Sequence, residues 1–204
     1  MIESFKHKGL ERFFTESDKR AIPAQSAARI ERLLDRLEAA IKPDDMDLPG
    51  NKFHALKGDR SGECAVTVTG NLPITYRFDG PHATAVNLED YHLEDHTMKS
   101  LRNPNRKPTH PGAVLREDVL PALGITQARM SALLGVSRVT LAQLLHEHRA
   151  LSGDLALRLE KLLGSSAESW LNMQQAVDLW EARQDVQRFA HVVRYAKSQA
   201  SLAT

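Results

Sequence analysis

The sequence predicts two folds in series: a small α+β domain, helices on an antiparallel sheet, followed by an all-α helix-turn-helix domain. Three observations predict this. Helical periodicity and then strand alternation fill residues 1–88, a polar stretch with two prolines follows at 93–108, and helical periodicity returns over residues 111–184 around Gly135-Val136-Ser137. The expected organisation is therefore residues 1–92 as one domain, 93–108 as a linker and 109–204 as a second domain. Sixteen extended residues reach roughly 50 Å, so the two halves need not touch.

Each element follows from a local pattern. Ile30, Leu33, Leu34, Leu37 and Ile41 recur at helical spacing between charged residues and predict a helix over 24–41, stopped by Pro43-Asp44-Asp45. A shorter helix is expected over 10–16. Leu48-Pro49-Gly50-Asn51 reads as a turn, after which Phe53, Ala55 and Lys57 start a strand. Ala65-Val66-Thr67-Val68-Thr69 is small and β-branched, and Gly70-Asn71 turns the chain. Ile74-Thr75-Tyr76-Arg77-Phe78 alternates, Asp79-Gly80 signals a hairpin, and residues 83–88 return beside it. Helices are expected over 111–122, 126–134, 137–146, 152–163 and 167–183.

Composition narrows the class. The 204 residues are 42% hydrophobic and 26% charged, enough to support cores in a soluble protein. No apolar run approaches the roughly 20 residues a bilayer span needs, and the start of the chain lacks the apolar stretch of a signal peptide. The single cysteine, Cys64, excludes an internal disulfide and makes the cytoplasm the expected compartment. The net charge of +1 hides an asymmetry: residues 1–97 hold 13 Lys/Arg against 17 Asp/Glu, and residues 98–204 hold 14 against 9. The basic second half suits a polyanion, and the acidic first half opposes one.

Residues 126–145 carry the sharpest signal. Thr126 is placed to cap one helix and Ser137 the next, Gly135 makes the tight turn, and Val136 plugs the core beside it. Val139, Leu141, Leu144 and Leu145 are expected to face inward. Arg138, Thr140 and Gln143 are then left outward on the second helix, where a recognition helix meets base edges. Gln127 and Ser137, at helix N-termini, are expected to contact DNA as well, with Gln127 reaching a phosphate. A two-fold dimer on spaced half-sites is what such a motif requires.

This segment, with His110-Pro111-Gly112, Leu115-Arg116-Glu117, the run from Ala156 to Lys161, Gly164-Ser165-Ser166-Ala167-Glu168 and Trp170-Leu171-Asn172, resembles the HigA antitoxins, the VapI type of the Xre helix-turn-helix family. The resemblance implies dimers that bind operator palindromes in their own promoter and repress transcription. The first half resembles the HigB toxins of the RelE/ParE superfamily. It does so through Ser4-Phe5-Lys6-His7-Lys8-Gly9-Leu10, His54, Leu56-Lys57-Gly58-Asp59, Gly70-Asn71, residues 74–78 and the ending Glu89-Asp90-Tyr91-His92. The resemblance implies a RelE-like fold that cleaves mRNA on the ribosome.

RNA cleavage needs a base near the 2′-OH, an acid for the leaving oxygen, and cations around the phosphate; side chains can supply all three, so no metal or cofactor is expected. His54 and His92 titrate near neutrality and suit proton transfer. Lys57 is placed to hold the phosphate, with Arg77 assisting; Asp90 orients an imidazole or takes a proton; Tyr91 stacks on a base or donates its hydroxyl. Two departures predict weakened activity or none. Where the family pattern has Trp-Arg after Gly70-Asn71, this chain has Leu72-Pro73, and Cys64 stands where an aromatic is expected. The implied Arg is an active-site cation, and Pro73 also removes a backbone donor.

Three readings follow. The first is a fused toxin–antitoxin chain whose second half binds operator DNA while the tethered first half is restrained, with a tether concentration of roughly millimolar; the contact lies within one chain or is swapped across a dimer. The second is a transcriptional regulator whose first domain is a catalytically dead toxin used for dimerisation or corepression. The third is an interaction scaffold that does not bind DNA. The sequence also leaves open whether the join between His92 and Met98 is natural or engineered.

Overall fold

The structure is a computed structural model that describes residues 1–70, 72–89, 103, 105–185 and 191–192. The first half is two helices on a four-stranded antiparallel sheet. Helix α1 (Lys8–Glu16) starts where His7 Nδ1 accepts from the Leu10 N–H at 2.8 Å, and α2 (Ala27–Ala39) follows a 3-10 turn. Strands β1 (His54–Ala55), β2 (Glu63–Thr69), β3 (Leu72–Asp79) and β4 (His82–Leu88) lie in chain order as a meander. The N-terminal segment runs parallel beside β4 through bridges Ile2–Ala83 and Phe5–Val86.

The period-2 pattern sorts the sheet into two faces. Cys64, Val66, Val68, Ile74 and Tyr76 face the helices and join Leu10, Phe14, Ile30 and Leu34 in one core. The opposite face carries Glu63, Ala65, Thr75 and Arg77, with His54 paired to Ala65 and Glu63 paired to Arg77.

The second half is a helical bundle. Helix α3 (Pro111–Val114) runs through a π turn (Leu115–Val119) into α4 (Leu120–Leu123), followed by α5 (Gln127–Leu134), α6 (Arg138–Leu145), α7 (Gly153–Leu163) and α8 (Ala167–Gln184). Buried Leu141, Leu144, Leu145, Leu155, Leu159 and Trp170 form its core.

Three expectations need correction. Helix α2 ends at Ala39 rather than at Ile41, which is 38% exposed, because the buried Asp45 carboxylate takes the Ile41 and Lys42 N–H groups and turns the chain. Lys57 lies outside β1, since Gly58 adopts φ +67 and leaves the strand direction. Val139 faces solvent, 66% exposed, rather than the core. The halves, whose contact the sequence left open, do touch, and Asn103 and Arg106 within residues 93–108 are docked. Arg106 bridges Glu31 at 2.5 Å and Asp35 at 2.6 Å, Thr109 donates to Asp35, and the Asn103 N–H donates to the Phe14 carbonyl at 2.9 Å.

The docking surface is the outer side of α2 and the turn after it. Asp118 receives Arg32 through two bonds of 2.8–2.9 Å and pairs with Arg29 at 2.7 Å. Arg36 is fully buried: it donates to the Asp45 carbonyl and the Ser169 hydroxyl, and its guanidinium lies 4.2 Å from the Trp170 ring centre. Asp45 in turn accepts from the Ser166 N–H at 2.8 Å, at the N-terminus of α8. Burial pushes the Asp45 carboxyl up, but hydrogen bonds from Ile41 and Ser166 and the Arg36 charge outweigh it and hold it below the usual carboxylate range. A carboxylate there also complements the positive end of α8.

Candidate nucleic-acid interfaces

Helix α6 is set by its ends. Ser137 Oγ accepts from the Thr140 N–H at 3.0 Å and Thr126 Oγ1 caps α5 from the Arg129 N–H at 3.2 Å, as hydroxyls at those positions should. Gly135 takes φ +65, which closes the turn between α5 and α6 at little steric cost. Arg158 of α7 locks that turn by donating to the Leu134 carbonyl at 2.8 Å and to Gly135 at 3.3 Å. Spacing within the motif gave no sign of this support, because the residue lies more than twenty positions downstream.

The caps and the buried Leu141, Leu144 and Leu145 fix which side of α6 is outward. Arg138, Val139 and Gln143 are exposed, Thr140 is half-buried, and Gln127 is exposed at the start of α5. Val139 and Gln143, four residues apart, form one outward row with Arg138 at its N-terminal edge. Ser137 is exposed but its hydroxyl is committed to the cap, and it lies 2.9 Å from the Thr140 hydroxyl. The five DNA-contact candidates thus lie on α5 and α6 and their caps, and the structure adds Val139, which an inward-facing assignment had removed.

On the sheet half, His54 and Arg77 share the face turned away from α1 and α2. His54 is exposed, with Nδ1 2.9 Å from the Lys52 carbonyl. Lys57 is exposed and follows Leu56, whose N–H donates to the Glu63 carbonyl at 2.8 Å. Arg77 is not a free cation: it donates to the Glu63 carboxylate at 3.0 Å, as does Arg60 at 2.6 Å, while Arg60 also pairs with Glu89 and Lys6 Nζ lies 3.9 Å from Glu63. Burial pushes the Glu63 carboxyl up, but bonds from Arg60 and Arg77 and the charges of Arg60 and Lys6 win and keep it below its ordinary range. Asp90, Tyr91 and His92 lie outside the described residues, as do Asn71 and Met98. Among the described residues, no hydrogen bond or ion pair joins the helical half to His54, Lys57 or Arg77; the halves meet on the other side of the sheet, across α2.

The two departures have different weights. Cys64 pairs with Tyr76 on the core face, so the substitution there changes packing rather than the outer face; burial raises its thiol pKa. Pro73 pairs with Thr67 and lies on the outer face. Its carbonyl accepts from the Glu89 N–H at 3.1 Å, and its missing N–H falls past the Ile74–Leu88 pair where the β3–β4 ladder ends. The sheet therefore tolerates proline, but the face lacks a cation there.

Residues 3–92 match the family model described as the RelE-like toxin of the type II toxin-antitoxin system HigB, and residues 115–170 match a helix-turn-helix model. The endoribonuclease HigB of Proteus vulgaris is 40% identical over 92 residues, 45% of this chain and all of that protein. The antitoxin HigA-1 of Vibrio cholerae is 35% identical over 94 residues, 46% of this chain and 89% of that protein. The chain belongs to both families, a HigB-type toxin joined to a HigA-type antitoxin. Virulence-associated protein I of Dichelobacter nodosus is 42% identical over 78 residues, 38% of this chain and 72% of that protein. The HigB-type half is thus the sheet domain, and the HigA-type half is the bundle that carries α5 and α6.

Proposed function

We propose that the chain is a DNA-bound transcriptional repressor whose HigA-type half reads an operator as a dimer, and whose HigB-type half is a ribosome-dependent mRNA endoribonuclease fold with attenuated activity. The observation that carries the reading is the outward row on α6: an arginine, an apolar methyl-bearing side chain and a carboxamide presented together on a helix whose inner side is fully buried. Those three types match, in turn, the paired acceptors of guanine, the methyl of thymine and the acceptor–donor edge of adenine in the major groove. Gln127 and the N-terminus of α5 suit a backbone phosphate. The test is a mobility shift on the duplex immediately upstream of the chain's own coding region. Arg138→Ala is expected to cost about 1–3 kcal/mol and relax preference at one base pair, and Val139→Ala to lose preference for thymine at a neighbouring one. Unchanged binding by both variants would remove α6 from the recognition role.

A second reading, a regulator carrying a catalytically dead toxin for dimerisation or corepression, is favoured by Pro73 and by the engagement of Arg77 with Glu63. The two readings separate on the double substitution Leu72→Trp with Pro73→Arg in the full chain. Growth arrest with mRNA cleavage from the substituted chain, and little from the original, is expected if the remaining machinery is intact, because a restored phosphate cation is worth orders of magnitude in rate. A substituted chain that folds and leaves mRNA whole supports the dead-toxin reading.

A further inference from the structure

Arg60, Arg77 and Lys6 converge on one carboxylate, and the arrangement is asymmetric. The Glu63 side chain is 9% exposed, whereas those of Arg60, Arg77 and Lys6 are 43–46% exposed. The anion sits inside, and the cations stand between it and solvent on the sheet face that also carries His54. A carboxylate held by two guanidiniums is the nearest protein equivalent of a phosphate held by the same forks.

We propose that Lys6, Arg60 and Arg77 form a subsite for the backbone phosphate of single-stranded RNA, and that Glu63, with Glu89 on Arg60, occupies those cations and keeps the subsite closed. The inference rests on reading the HigB-type half as an RNA-cleaving fold, and it goes beyond that reading by naming where the strand is held and what blocks it. The subsite does not replace the missing cation at position 73. Arg77 lies four residues along the same strand, about 13 Å away at strand rise, so it serves a different phosphate from one held at Pro73. Opening the subsite therefore changes RNA affinity without restoring cleavage.

The sign follows from the charges. The five side chains carry three positive and two negative charges, and Glu63 takes contacts from all three cations. Replacing Glu63 by the near-isosteric amide removes the competing anion and leaves donors for a phosphate. The freed cations then release counterions on binding RNA, so affinity rises and becomes more salt-dependent.

The test is fluorescence anisotropy of the full chain with a labelled single-stranded 2′-O-methyl RNA dodecamer, which binds but lacks the nucleophile for cleavage. Glu63→Gln is expected to tighten binding about tenfold and to steepen the log–log salt slope by roughly 1.4, the value for two more neutralised phosphates. Adding Arg60→Ala and Arg77→Ala should abolish the gain. Glu89→Gln, which releases Arg60 alone, is expected to give a smaller gain of about threefold and keeps the test intact if Glu63→Gln lowers the melting temperature. No change in affinity or slope from either amide variant overturns the proposal. So does a gain that survives removal of both arginines, since that would belong to net charge and to the basic helical half. Cleavage by the Leu72→Trp, Pro73→Arg chain alongside unchanged RNA affinity in Glu63→Gln would leave the toxin reading standing and sink only the closed subsite.

Discussion

Gly112→Ala is expected to unfold or severely loosen the helical half. Gly112 lies where α3 crosses α6, and a Cβ added there would sit 1.9 Å from the Leu144 carbonyl oxygen and 2.8 Å from its carbon. The obstacle is backbone, so no side-chain rotation relieves it and the helices must separate. Overpacking of a core typically costs 1–3 kcal/mol, and a clash with backbone belongs at or above the top of that range, at about 3 kcal/mol. Chemical denaturation should show the midpoint falling by a corresponding amount. Operator binding should fall with it, because α6 is the element displaced. A Gly112→Ala chain within 1 kcal/mol of the original would mean that α3 and α6 do not approach this closely. The nearby His110 reinforces the crossing: its Nδ1 accepts from the Gly112 N–H at 3.0 Å, and burial lowers its pKa so that the accepting, neutral ring is the folded form.

The second large effect is expected from Arg36→Ala. This arginine belongs to the HigB-type half yet its partners in the other half are Ser169, Trp170 and Met173, and burial lowers its pKa to about 10 while the Asp45 charge opposes that shift, so it remains charged at neutral pH. Truncation removes the bonds to the Asp45 carbonyl and Ser169, leaves a void against Trp170, and strips the buried Asp45 carboxylate of its nearest compensating charge. Removing one member of a buried charged network typically costs about 3–5 kcal/mol. Because each half has its own core, the denaturation profile should split from one transition into two as the docking is lost. Arg36→Met fills the space without the charge and is expected to recover part of the loss. A single transition with less than 1 kcal/mol lost in Arg36→Ala would show that α2 and α8 are not held together by this residue.

These effects bear on how the two halves are arranged. Docking through α2 leaves the outer sheet face, with Pro73 and the Glu63, Arg60 and Arg77 cluster, away from the bundle. The tether and the Arg36 contact keep the halves together within one chain, while the α6 surface stays open to DNA.

Much of the fold was legible because it is local. Val66, Val68, Ile74 and Tyr76 alternate with outward residues, Asp79-Gly80 turns the hairpin, and Thr126, Gly135 and Ser137 end or begin helices through bonds to residues three or four positions away. The candidates Arg138, Thr140, Gln143, His54 and Lys57 could be named from the sequence as residue types and positions, but their surroundings could not. Val139 was placed in the core as an apolar residue beside Leu141, Leu144 and Leu145, yet its i+4 neighbour is the outward Gln143; the rotation of α6 is set by the α3 and α5 helices packed against it. On α2, Arg29, Arg32 and Arg36 have the spacing of a solvated helical face.

The sequence by itself determined that the chain is an α+β unit followed by a helix-turn-helix bundle, since strand alternation, helical period and capping act over a few residues. The tertiary structure alone decided that α2's arginines are joints rather than surface, that the halves dock, and that Arg77 is already engaged. The reason is that a charge has no preferred neighbour along the chain. Arg32 finds Asp118 86 residues away and Arg36 finds Ser169 133 residues away, and only the folded path brings those groups within bonding distance.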